Sequence, residues 1–218
     1  MDLSKLIHTG IAKQQPEEPR KYIGASSISD PCHRKLWYGL NGYDSLPVDP
    51  KLMITFQIGH KLEEMIIDYL KKAGLFIINQ GQFYQDSSVL CFQGHIDGTI
   101  VLNDESKAIL ELKTANDASF NKFVKHGLRQ WSEGYYAQIQ SYMGMSDIHR
   151  GVLLAINKNT SALHHEWVDF DELYYENLRR KASAISLAEE PPGKINESPF
   201  YFACNQCRFR EVCHTPKP

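Results

Sequence analysis

Residues 109–114 read ILELKT, setting a carboxylate and an ammonium two positions apart among residues that suit a buried strand. Strand side chains alternate with a period of two, so Ile109, Glu111 and Lys113 project to one face. Burying either charge without a partner is costly. An ion pair on an edge strand would satisfy an arbitrary E-x-K, so other residues must decide. Upstream, GHIDG (94–98) places Asp97 next to Gly98, and a short turn at NDES (103–106) would pair 95–102 with 107–113. That pairing brings Asp97 towards Glu111. Two carboxylates and an amine converging at a sheet rim suit divalent-metal cleavage of phosphodiesters. Hard carboxylate oxygens hold Mg²⁺ or Mn²⁺. The metal polarises the phosphate and acidifies bound water, while the lysine orients that water or meets developing charge.

The elements that must position these groups are legible from period and punctuation. A helix over about 54–73 stops at Gly74. It carries an apolar stripe (Leu62, Met65, Ile66, Tyr69, Leu70) and a polar one (Lys61, Glu64, Asp68, Lys72). Between them Phe56, His60, Glu63 and Ile67 are spaced by 4, 3 and 4, so His60 and Glu63 share a partly covered face while Glu64 faces solvent. Helices are also expected over about 117–126 and 130–145. The second carries Trp131, Tyr135, Gln138, Tyr142 and Met145 on one stripe, aligning an amide with a phenol. SSISDPCHRKLWYGL (26–40) reads as a capped helix containing Cys32, and NGYDSLPVDP (41–50) as a loop. LFIINQGQFYQ, VLCFQGHIDGTIVL and AILELKT give three or four strands; HRGVLLAINK (149–158) and ALHHEWVDF (162–170) give two more. A last helix spans about 171–189 before PPG, and the cysteine-rich tail reads as irregular. This order predicts a mixed sheet flanked by helices. Residues 1–20 are expected to be a flexible polar arm, and 21–218 a single domain.

Cys204, Cys207 and Cys213 form C-x2-C-x5-C, followed at once by His214. Zinc and iron–sulfur clusters both favour four ligands of this softness. The fourth could be Cys32, His214, His33 or Cys91. Cys91 lies in the apolar run VLCF and suits a core. Cys32, at the other end of the domain, is the better candidate and would clip the two termini together. An odd cysteine count of 5, with no signal-peptide core, argues against disulfides and for the cytoplasm. No run reaches the length of a membrane span. A net charge of −2 does not announce a nucleic-acid binder. Cation-holding carboxylates lower such a total, however, and basic groups cluster locally at Lys122, Lys125 and Arg129, at Arg179–Lys181, and at Arg208 and Arg210.

The ordered set of His60, Asp97, ELK at 111–113, QIQSY at 138–142, an early cysteine and the terminal C-x2-C-x5-C resembles the RecB-like branch of the PD-(D/E)xK nucleases, over roughly residues 24–214. Phage and CRISPR-associated exonucleases and the AddB nuclease domain look most alike. The "PD" is here Ile96-Asp97. The resemblance implies a restriction-endonuclease-like fold: a central mixed sheet flanked by helices, with a cysteine-ligated metal knob joining the terminal segments. It implies Mg²⁺ or Mn²⁺ held by His60, Asp97, Glu111 and the Leu112 carbonyl, with Lys113 positioning the attacking water. Gln138 and Tyr142 would organise the site and help bind DNA. Glu63 joins the site from the helix stripe alone. Cys32, Cys204, Cys207 and Cys213 would hold a [4Fe–4S] cluster, with zinc as the alternative. The implied activity is a DNA exonuclease of recombination, repair or phage-type processing. It would act on single strands or duplex ends in a bacterial or phage-infected cell, with a recombination or DNA-processing protein supplying grip. An endonuclease of the same fold, or a non-catalytic DNA-binding adaptor with a structural metal, are the alternatives.

Overall fold

The computed structural model describes residues 1–13 and 20–215. A small sheet has the order β1-β4-β3, from Ile23–Gly24 (β1), Phe83–Gln85 (β3) and Phe92–His95 (β4). A larger one has the order β2-β5-β6-β7-β8, from Phe76–Ile78 (β2), Gly98–Val101 (β5), Lys107–Ala115 (β6), Arg150–Asn157 (β7) and Leu163–Asp169 (β8). Its β6–β7 pair is parallel and its other pairs are antiparallel, so the sheet is mixed as expected.

The alternation along β6 and β7 divides the core in two. Leu110, Leu112, Val152 and Ile156 pack with Ile66 and Ile67 of helix α3 (Pro50–Lys72). Ile109, Leu153 and Ala155 face the other way, towards α4 (Asp117–Trp131) and α5 (Glu133–Ser146). Glu111, paired in register with Leu153, lies on that second face. Helices α2 (His33–Leu40) and α6 (Glu172–Ser186) complete the same side.

Local chemistry sets the boundaries. Asp49, Asn116, Ser132 and Asp171 each cap a helix by accepting from a backbone N–H. Gly74, with φ +93, ends α3 in the left-handed region that glycine adopts freely. Gly127 (φ 76) interrupts α4 where the sequence places a break, and the Glu166 carboxylate accepts from Leu128 N there at 2.8 Å.

Several sequence expectations need correction. The helix over 26–40 begins only at His33, because Pro31 disfavours helical geometry at Asp30, and Cys32 is its N-cap. Residues 25–29 form turns, residues 30–32 are irregular, and β1 is an unanticipated strand. Tyr69, assigned to an apolar stripe, is 54% exposed. The tail contains two short helices, α7 (Phe202–Asn205) and α8 (Arg210–His214). Leu3–Ala12 forms a helix, α1, against α3, while most of QQPEEPR lies outside the described residues.

Candidate active site and cysteine cavity

β6 delivers Glu111 and Lys113 to a cleft of about 470 Å³ that is also lined by His60, Glu63, Asp97, Gln138 and Tyr142. Asp97 sits at the bend between β4 and β5, where the chain passes from the small sheet to the large one. Its Oδ2 accepts from Leu112 N at 2.7 Å, which fixes the carboxylate beside β6. Burial raises the Asp97 pKa, partly offset by the Lys113 ammonium and that backbone N–H.

Glu111 is 1% exposed. One oxygen pairs with Lys113 Nζ, while Oε2 is buried with no hydrogen-bond partner among the described residues. Burial, and then repulsion from Asp97, push the Glu111 pKa up to about 8. Burial also opposes the Lys113 charge, but Glu111 and Asp97 outweigh it and hold the ammonium protonated. Two desolvated carboxylates with an orphaned oxygen and one amine form a site short of positive charge. The donor chemistry fits a hard divalent cation.

From α3, His60 Nδ1 lies 3.2 Å from Glu63 Oε2, and the Glu63 side chain is only 25% exposed. Glu64 pairs with Lys61 at 2.7 Å and is 66% exposed, at the cleft rim. From α5, Gln138 Nε2 donates to Tyr142 Oη at 3.2 Å. Burial, then Glu111, raise the Tyr142 pKa, so the phenol stays neutral. Tyr142 approaches β4 so closely that a Cβ at Gly94 would fall 2.6 Å from its ring. His60, Glu63, Asp97, Glu111, Lys113, Gln138 and Tyr142 thus line one cleft, whereas Leu112 is not in its lining and meets the site through its N–H on Asp97.

Arg20, Tyr22, Ser26 and His95 also line the cleft and were missed. The polar doublet after Ile23-Gly24 was the available signal, but β1 is too short to show a period.

Cys32, Cys204, Cys207 and Cys213 line a second cavity of about 480 Å³, with His214 beside them. Cys91 packs against the core instead. Burial raises the Cys207 thiol pKa. Among the described residues no three His, Cys, Asp or Glu side chains stand as a preformed metal-binding group, in the acidic cleft or in this cavity, so the cysteine-ligated knob is not shown. Ordinary contacts join the terminal segments: the Phe209 ring lies 5.7 Å from Tyr38, and Leu46 N donates to Arg208 O at 2.8 Å. No helix among the described residues is long and apolar enough to cross a membrane.

The fold is shared with solved exonuclease structures. An alkaline exonuclease from Laribacter hongkongensis superposes with a TM-score of 0.60 at 15% identity, covering 77% of this chain and 87% of that one. Its complex with dAMP gives 0.60 at 15% identity, covering 81% and 89%. A phage-related exonuclease from Haemophilus somnus 129PT gives 0.56 at 15%, covering 75% and 91%. No curated protein matches the sequence. Family and fold together place the chain in the PD-(D/E)xK nuclease superfamily, as the resemblance implied. Within it, the chain belongs to the YqaJ-like viral recombinase domain family, whose model matches residues 19–149. Cys204, Cys207 and Cys213 lie beyond that match.

Proposed function

We propose that this protein is a divalent-metal-dependent DNA exonuclease of phage-type recombination. The observation that carries the reading is the unpartnered, buried Glu111 Oε2 beside Asp97 and Lys113 in one cleft. His60, Asp97, Glu111 and the Leu112 carbonyl would hold Mg²⁺ or Mn²⁺. When bound, the cation supplies charge to the phosphate and acidifies a water. Asp97 is already oriented for this by the Leu112 N–H. Lys113 stays charged in the cleft and can donate to the attacking water or to a phosphate oxygen. Gln138 and Tyr142 present a neutral donor pair to the same space. Glu63 orients His60 through its ring nitrogen. Arg20 adds a cation to the lining of the cleft for a DNA phosphate.

The family and the exonucleases that share the fold support an end-directed activity. End-labelled linear DNA and closed circles, with Mg²⁺ or Mn²⁺ and with EDTA, test it. Linear DNA should be degraded from its ends only with metal; circles cut as fast as linear DNA would make the enzyme an endonuclease.

We further infer that residues 21–218 act as one domain in the cytoplasm of a bacterial or phage-infected cell, alongside a recombination protein. In the same reading the four cysteines hold a [4Fe–4S] cluster, with zinc as the alternative. Their shared cavity supports this donor set. Iron, sulfide and zinc analysis of anaerobically prepared protein decides between the metals, and absence of all three would remove the site.

A further inference from the structure

Lys113 has two neighbours of opposite character. Its ammonium pairs with Glu111 Oε1, and it also lies 5.0 Å from the centre of the Tyr135 ring. A cation placed over an aromatic face is attracted by the ring quadrupole, more so when water is partly excluded. The Lys113 side chain is 17% exposed, so the contact is largely desolvated.

The Tyr135 ring is itself held in place. Trp131 meets it edge-on, with centroids 4.9 Å apart. Trp131 in turn stacks on Phe123 at 4.5 Å and donates from Nε1 to Ser119 Oγ at 2.9 Å. Ser132, the cap of α5, accepts from Tyr135 N at 3.3 Å. A braced aromatic column thus runs from α4 to the lysine.

The two neighbours of Lys113 are not equivalent once the carboxylates hold a cation. Glu111 then shares its charge with that cation, and its grip on the ammonium weakens. The ring has no charge to give up. We propose that Tyr135 is a positioning residue for Lys113, holding the ammonium in the cleft when a divalent cation occupies the carboxylates. The proposal rests on the nuclease reading above, but its test need not.

The ε-methylene protons of Lys113, observed by NMR in selectively labelled full-length protein, should be shifted upfield by the ring current. The shift should persist when Mg²⁺ is added, remain in Tyr135→Phe, and collapse in Tyr135→Leu. In steady-state cleavage of linear DNA, Tyr135→Phe should stay within about twofold of wild type, while Tyr135→Leu should lose about tenfold in kcat with little change in KM. Loss of the upfield shift on adding Mg²⁺ to the wild type overturns the proposal, as does an unchanged kcat in Tyr135→Leu. Equal damage from Tyr135→Phe would assign the role to the hydroxyl and also overturn it. Wild-type protein that cuts no DNA would sink the nuclease reading, and the shift measurement would still decide the contact.

Discussion

Glu111 is where the cost of the site is concentrated. Its folded pKa of about 8 lies above the ordinary 4.5, so the folded state binds the proton more tightly than the unfolded chain. Below about pH 4.5 both states are protonated and burial carries no charge penalty. As pH rises towards about 8 the unfolded chain ionises first, so metal-free stability should fall across that window and level off above it. Melting wild type and Glu111→Gln side by side without metal isolates this contribution: the variant should gain on the wild type as pH rises, by up to a few kcal/mol. Added Mg²⁺ should restore the wild type and not the variant. Cleavage should be abolished in Glu111→Gln, Asp97→Ala and Lys113→Ala while their melts stay cooperative. Near-normal activity in any of them would remove that residue from the assignment.

The elements aim these groups, and two substitutions report on the aim. α3 lines the cleft with His60, Glu63 and Glu64, but of the three only Glu63 is largely covered, while Glu64 pairs with Lys61 at the rim. Glu63→Gln should therefore lower cleavage or metal affinity, whereas Glu64→Gln, which loses only an exposed pair, should change little. A reversed result would mean that the face of α3 offered to substrate differs by about one residue. β4 gives way to Tyr142 at Gly94, where a Cβ would meet the ring at 2.6 Å. Gly94→Ala should cost about 1–3 kcal/mol of stability by overpacking. It should also displace Tyr142 and lower kcat, which a thermal melt and an activity assay measure together.

At the scale of the whole molecule, residues 30–38 and 194–214 meet at the cysteine cavity. A metal held by the four cysteines, as proposed, would close a loop spanning most of the domain and restrict the unfolded chain accordingly. In anaerobically prepared, metal-loaded protein, chelation should lower the melting temperature and open residues 198–215 to protease first, ahead of any loss of Mg²⁺ binding at the cleft. An unchanged digestion pattern would leave Phe209 on Tyr38 and Arg208 against the Leu46 segment as what holds the tail.

Much of this was fixed by local sequence. The two-residue period of ILELKT puts Glu111 and Lys113 on one face wherever the strand lies, and the spacing of His60 and Glu63 puts them on one side of any helix. Gly74 and Gly127 mark interruptions that follow from backbone sterics alone. Other features depend on which distant segments pack together, and no period reports that. Asp97 reaches Glu111 through the register of β5 on β6 and through a backbone N–H of the neighbouring strand. Arg20 and Ser26 enter the cleft because β1 pairs parallel to β4. Tyr135 read as one member of an aromatic stripe. Only the packing of α5 over β6, with Trp131 behind the ring, set its face against Lys113.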